Sequence, residues 1–108
     1  MLKAAHRIAP KPDYQNTTLD ALSYLFGRNP FGRSFVTGIG HNPPRFPHDR
    51  RSGADKVAAP WPGYLVGVPN PRATDYYDAE KDYRTNEIAI NWNGALIYAL
   101  AGFLDDTN

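Results

Sequence analysis

Residues 86–104, NEIAINWNGALIYALAGFL, would form a helix with almost no polar face. The length of this apolar run predicts a helix over the whole stretch. A helix that is apolar all round has to be buried on all sides. Two or three helices in a chain of 108 residues cannot surround it, so the stretch indicates an all-α chain that is a piece of something larger.

A second helix is predicted just ahead of Gly27. Thr17, followed three residues later by Asp20, resembles a capping box at the start of a helix. Gly27 stands where a glycine ends many helices. We therefore expect helix over about Thr18–Phe26, and a shorter helix in residues 1–8 that the following prolines stop. The apolar residues at helical spacing in the second helix are Leu19, Leu22, Leu25 and Phe26.

The connection between the two main helices is long and rich in proline and glycine. Residues 30–71 hold eight of the ten prolines and six of the nine glycines. Proline removes a backbone donor and glycine adds chain entropy, so this stretch cannot be regular helix or central strand. Only residues 34–39 look suited to a short extended piece. In a compact domain, an irregular connection longer than ~12–15 residues is usually a functional loop.

Composition excludes several classes of protein. A net charge of +1 argues against a nucleic-acid-binding module, which needs a basic excess to displace counterions. The sequence has no cysteine, so neither a disulfide nor a thiolate zinc site is expected. No apolar run reaches ~18 residues, which argues against a membrane span. Residues 1–9 lack the apolar segment of a secretory signal peptide.

Charge is unevenly distributed along the chain. Residues 28–56 carry six basic and two acidic side chains, a balance of +4. Residues 73–87 carry five acidic and two basic side chains, a balance of −3. Two solvated faces that attract each other would explain this pattern. One site assembled from both segments would explain it as well, and the residue types leave both interpretations open.

Three residues in these segments could carry chemistry. His48 could donate a hydrogen bond or carry a proton, and Arg50 offers a planar donor fork, although solvated loop residues are the simpler interpretation. Glu87 opens the apolar helix. It is either a first-turn glutamate favoured by the helix dipole or a carboxyl at the mouth of a packed core, where burial disfavours its charge. No metal site is expected from His41 and His48, because their spacing fits no familiar ligand pattern.

Aromatic side chains are dense around both charged segments. Flat rings with polar rims suit a cleft for sugar rings, and core packing also accounts for many aromatic residues. The rings singled out as candidates for sugar binding are Trp61, Tyr64 and Trp92.

Three stretches of the chain match motifs of a known family. Residues 34–50, SFVTGIGHNPPRFPHDR, resemble its histidine signature, and residues 76–93, YYDAEKDYRTNEIAINWN, are similar to its acidic signature. Residues 60–67, PWPGYLVG, resemble its Pro-Gly-x-Leu-Val-Gly loop. Gly94 departs from the second signature, which usually has Ser, Thr or Ala there. On these motifs the chain resembles glycoside hydrolase family 9, the large cellulase family.

The resemblance implies the C-terminal part of an (α/α)6 barrel, incomplete over residues 1–108, with a long irregular active-site loop between two helices. It implies hydrolysis of β-1,4-glucan with inversion, Glu87 as general acid, His48 and Arg50 as sugar-binding residues and Asp78 in a supporting role. The family's general base lies in an Asp-Ala-Gly-Asp motif, which this sequence lacks. We therefore expect the chain alone to be inactive and to need the missing N-terminal segment of the barrel.

The resemblance also implies the partners of the full-length protein. A β-glucan polysaccharide such as cellulose is expected, with no nucleic acid, no membrane and no required cofactor. Calcium, which members of the family often bind, is compatible with the resemblance, and no motif here places it. The full-length protein is expected to be secreted. The alternative function is that of a non-catalytic carbohydrate-binding protein, which would keep an aromatic cleft without the chemistry.

Overall fold

The chain is described by a computed structural model over residues 1–104, and this part of it is helical. Its regular elements are α1 (Leu2–Ile8), α2 (Pro12–Leu25), α3 (Arg50–Ala54), α4 (Tyr83–Asn86) and α5 (Ile90–Leu104). Across residues 1–104, β pairing is limited to three isolated bridges. The predicted all-α class is confirmed, and so is a long, mostly irregular connection between α2 and α5. The expectation that residues 30–71 hold no regular helix is wrong over α3, a stretch that contains no proline.

Helix α2 begins at Pro12, well ahead of the predicted start. Pro12 occupies the first turn, where its missing N–H has no helical partner to lose and its fixed φ suits the helix. Thr17 and Asp20 consequently lie inside the helix, so the predicted capping box is wrong. The neighbouring Thr18 hydroxyl instead donates to the carbonyl of Tyr14 at 2.8 Å, one turn back.

The ends of α1 and α2 agree with the sequence pattern. Helix α1 ends at Ile8, before the two prolines that were expected to stop it. Helix α2 ends at Leu25, and Gly27 follows with a φ of +133°, a conformation that residues with a side chain rarely adopt. Helix α1 packs against α2, and α2 packs against α5.

The hydrophobic core lies where the long connection crosses the helices. Phe35 is fully buried, and its ring centroid lies 4.8 Å from that of Tyr76 and 6.1 Å from that of Phe31, both in edge-to-face geometry. Such pairs add to the hydrophobic stabilisation that burial provides. The irregular connection therefore supplies much of the core. The other buried hydrophobic residues are Leu22, Val36, Leu65, Val66 and Leu96.

Backbone pairing places four segments of the irregular connection side by side. Val36 pairs with Leu65 in an antiparallel bridge, so the extended piece expected at 34–39 is reduced to one bridged residue followed by a turn. Val66 pairs with Ile88, also antiparallel, and His48 pairs with Glu87 in a parallel bridge. The two signature-bearing segments are thus held next to each other.

Helix α5 is largely uncovered by the rest of the described chain. Leu96 is its buried residue, while Ile97 is 66% exposed. Further large apolar side chains on this helix are exposed, namely Ile90, Trp92, Tyr98, Leu100 and Leu104. The expectation that this chain cannot surround its most apolar helix is confirmed. None of the helices in residues 1–104 has the length and apolarity that crossing a bilayer requires.

Candidate active site

His48 and Glu87 lie side by side although 38 positions separate them in the sequence. The backbone N–H of His48 donates to the carbonyl of Asn86 at 2.8 Å, and the two residues form the parallel bridge described above. On its other side, the Glu87 carbonyl accepts a hydrogen bond from Gly67 at 2.8 Å. The basic and the acidic segment are thus in contact, which both interpretations of the charge pattern expect.

Glu87 does not open helix α5 as the sequence predicts. It follows α4 with extended backbone, φ −75° and ψ 149°, and α5 begins only at Ile90. The reason is that both neighbouring segments bond the backbone here, and those bonds need an extended chain. Glu87 is also exposed, so the predicted burial at the mouth of a core is wrong for the described chain.

The imidazole of His48 is oriented by a backbone carbonyl. Its Nδ1 lies 2.5 Å from the carbonyl oxygen of Glu80. A carbonyl can only accept, so Nδ1 carries the proton and Nε2 of the neutral ring keeps its lone pair. The ring also meets Tyr83 edge-on, with centroids 6.4 Å apart. These two contacts fix the orientation of the His48 ring.

Arg50 lies beside His48 at the start of α3. The carboxylate of Asp49 accepts the backbone N–H of Arg51 and so caps the helix. Arg50 itself is exposed. His48, Asp49, Arg50, Glu80 and neighbouring residues line a depression of about 570 Å³. The structure therefore brings the predicted histidine and arginine to one open surface.

Asp78 anchors the segment that precedes His48. Its carboxylate accepts the backbone N–H groups of Arg45 and Phe46, each at 2.9 Å, and pairs with Arg33 at 3.1 Å. It also accepts a longer bond from Asn86 at 3.3 Å. These contacts suit the supporting role expected of Asp78, because they fix the chain on which His48 sits.

Two of the three candidate sugar-binding rings lie together. Trp61 stacks on Tyr64 with centroids 6.4 Å and planes 28° apart, and the guanidinium of Arg51 lies 5.7 Å from the Tyr64 ring. The indole N–H of Trp61 donates to Asp55. The pKa of Asp55 is held below its usual value, first by the backbone N–H of Val57 and then by this indole bond.

Trp92 lies apart from the other two rings. It lines a separate, largely apolar groove of about 540 Å³ between α2 and α5, together with Thr18, Leu65 and Leu96. The sugar-binding role predicted for Trp92 gains no support from this position.

Two residues that shape the candidate site, Gly67 and Asn86, could not be predicted from their residue types. Gly67 approaches the chain so closely that a Cβ atom there would lie 3.0 Å from the carbonyl carbon and oxygen of Thr85. Asn86 is fully buried just before Glu87. Gly67 could have been identified from its position in the family loop motif. No local pattern in the sequence indicated Asn86.

Metal ligands do not cluster in the described part of the chain. Among residues 1–104, no three His, Cys, Asp or Glu side chains gather as a metal site requires.

Comparison with known proteins points to one family. The family model for glycosyl hydrolase family 9 matches residues 1–100. Endoglucanase D of Acetivibrio thermocellus is 60% identical over 105 residues, which cover 97% of this chain and 17% of that protein. A xyloglucan-specific endo-β-1,4-glucanase of Bacteroides ovatus is 42% identical, over 88% of this chain and 18% of that protein. The chain thus spans less than a fifth of the length of these relatives.

Solved structures agree with the sequence comparison. A metagenome-derived endoglucanase of glycoside hydrolase family 9 superposes with a TM-score of 0.87 at 39% identity, over 94% of this chain and 20% of that one. The predicted barrel class is thereby confirmed, because these neighbours are (α/α)6 barrel enzymes. With the family model, the sequence identity and the backbone in agreement, the chain belongs to glycosyl hydrolase family 9.

Proposed function

We propose that residues 1–108 form the C-terminal part of a catalytic domain that hydrolyses β-1,4-glucosidic bonds in cellulose or a related β-glucan with inversion. Glu87 is the general acid, and His48 and Arg50 bind hydroxyl groups of the sugar beside the broken bond. The observation that carries the proposal is the backbone pairing of His48 with Glu87. The names of the relatives, which include endoglucanases and a xyloglucan-specific glucanase, support this substrate class.

The geometry suits these roles. Exposed Glu87 can reach a bound chain, and its carboxyl proton passes to the glycosidic oxygen as the bond to that oxygen breaks. Because Nδ1 of His48 is engaged by Glu80, Nε2 is the atom that accepts a hydrogen bond from a sugar hydroxyl. Arg50 donates to the same sugar, and Asp78 holds the preceding segment in place.

Inversion requires a second carboxylate, ~6.5–9.5 Å from the acid, that activates water on the opposite face of the sugar. We place this base on the part of the barrel outside the present chain. The same part would cover the exposed apolar face of α5, which includes Ile97 and Leu100. Acid, base and water suffice for the reaction, so no cofactor is required.

The stacked rings of Trp61 and Tyr64 offer a platform on which a sugar ring can lie. A polymeric glucan cannot cross a membrane, and we therefore infer that the full-length protein acts outside the cell.

The decisive variant is Glu87→Gln in the catalytic domain that contains this chain. Loss of a positioned acid lowers kcat by ~10²–10⁴. The loss should shrink on aryl β-cellobiosides with good leaving groups, which need less protonation. The matched variant His48→Ala should weaken both binding and turnover with no such dependence on the leaving group. A Glu87→Gln enzyme with wild-type turnover of cellulose would contradict the assignment of the acid.

The 108-residue chain by itself is expected to show no hydrolysis, since the base is absent. Measurable release of reducing sugar by the purified chain would overturn the division of roles.

A second function, non-catalytic carbohydrate binding, is favoured by the aromatic platform. If this alternative holds, the whole protein binds soluble β-glucan in affinity electrophoresis but does not hydrolyse it. Glu87→Gln then leaves the binding unchanged. Turnover that Glu87→Gln abolishes would exclude this alternative.

A further inference from the structure

Asn86 is a fully buried polar residue directly before Glu87. A buried amide destabilises a protein unless hydrogen bonds satisfy it. Because the side chain of Asn86 is fully buried, direct contact with a sugar does not explain its presence.

The side chain of Asn86 is fixed by partners on both of its polar atoms. Its Nδ2 donates to the carbonyl of Phe46 at 2.6 Å, and the Tyr76 hydroxyl donates to its Oδ1 at 3.0 Å. The Phe46 carbonyl can only accept, so the amide has one possible orientation. Burial raises the pKa of Tyr76, with the nearby Asp78 charge adding to the effect, and this keeps the hydroxyl protonated as a donor.

The backbone of Asn86 bonds the same segment as its side chain. Its carbonyl accepts the N–H of His48 at 2.8 Å, while its amide holds the carbonyl of Phe46, two residues earlier. Asn86 is thus bonded at two points to the segment that carries His48, and Glu87 follows Asn86 directly in the chain. The separation between the imidazole and the Glu87 carboxyl depends on this double attachment.

We propose that Asn86 is a positioning residue for the hydrolysis proposed above, holding the sugar-binding His48 and the acid Glu87 at one separation. The inference rests on that proposed function. A sugar bound by His48 then presents its glycosidic oxygen within reach of the Glu87 proton. Displacement of a reacting group by ~1 Å can cost about 10²-fold in rate, so a rigid attachment matters more here than at a general structural position.

The test compares Asn86→Ala with Asn29→Ala in the catalytic domain that contains this chain. Asn29 is the control, because its side chain makes three hydrogen bonds, to Tyr24, Phe31 and Arg33, far from the acid in sequence, against four for the Asn86 side chain. The readout is kcat on aryl β-cellobiosides with poor and good leaving groups. Asn86→Ala should lower kcat by about 10- to 100-fold on the poor leaving group and clearly less on the good one. Asn29→Ala should lower thermal stability without changing the ratio of the two rates.

Tyr76→Phe provides a second variant if Asn86→Ala fails to fold. It keeps the ring that packs on Phe35 and removes only the hydroxyl that donates to Asn86. A smaller shift of the same kind, about 3- to 10-fold on the poor leaving group, is expected since the bonds that the Asn86 amide donates remain.

The outcomes separate the two proposals. If Glu87→Gln abolishes turnover but the folded Asn86 and Tyr76 variants reduce both rates equally, or not at all, the role of Asn86 is overturned and the function stands. If the wild-type domain hydrolyses no β-glucoside, the proposed function falls and the inference falls with it.

Discussion

Asp78→Asn tests whether burial gives this carboxylate its importance. The side chains of Arg33 and Asp78 are only 14% and 15% exposed, and their N···O distance is 3.1 Å. The same carboxylate accepts the backbone N–H groups of Arg45 and Phe46. An asparagine keeps the size of the side chain but leaves Arg33 without its counter-charge. It also replaces one acceptor oxygen by an NH2 group that cannot accept.

The expected loss follows from these contacts. Breaking a fully buried ion pair by removing one partner destabilises by about 3–5 kcal/mol, and the remaining exposure lowers this to about 2–4 kcal/mol. Asp75→Asn is the control, because Asp75 pairs with Arg72 at the same 3.1 Å while the Arg72 side chain is 79% exposed. An exposed pair contributes under about 1 kcal/mol. The two ion pairs have the same N···O distance, but Asp78→Asn should destabilise the protein more than Asp75→Asn.

Hydrogen exchange of the Arg45 and Phe46 amides measures this difference locally. A loss of about 2–4 kcal/mol corresponds to exchange about 30- to 700-fold faster in Asp78→Asn, measured by mass spectrometry on peptides that contain these residues. Asp75→Asn should leave that segment unchanged. If the two variants exchange alike in the segment before His48, Asp78 does not anchor it and the reasoning is refuted.

Two further predictions concern α5 and the aromatic platform. Leu96→Ala should destabilise the chain by about 2–5 kcal/mol in urea unfolding, whereas Ile97→Ala should cost under about 1 kcal/mol, because Ile97 is already 66% exposed. In the whole catalytic domain the two losses should become similar, and a persistently small effect of Ile97→Ala would contradict coverage of this helix face. The pKa of Asp55 is lowered, so the contribution of its charge to the bond with Trp61 is fully present above the ordinary value of 3.8 and is lost as the pH falls through the lower folded value. The chemical shift of the Trp61 indole N–H should follow this titration. If the same pH-dependent change persists in Asp55→Asn, Asp55 is not the titrating group.

Much of the site could be predicted because signature residues keep their spacing along the chain. His48, Arg50 and Glu87 were identified from the motifs, and the structure places His48 and Glu87 side by side. The conformation of Glu87 could not be predicted, because the surrounding residues have a helical, apolar pattern. The bonds that the N–H groups of Gly67 and His48 donate to this stretch decide that conformation, and neither donor is near in sequence.

Local features of the sequence determined the helices and the irregular connection between them. Apolar spacing placed α2 and α5, and the prolines and glycines of residues 30–71 limit regular helix there to the five residues of α3. These patterns involve residues a few positions apart, so they can be recognised without the tertiary structure.

Only the tertiary structure decided which distant backbone groups meet. The burial of Asn86, the four donors around Asp78 and the extended backbone at Glu87 all depend on segments that are brought together from far apart in the sequence. Every buried polar group needs a partner, but residue types do not specify which of many carbonyls and N–H groups supplies it. Packing around Phe35 holds the helices and the irregular connection together, and the distant partners meet only in that packed state.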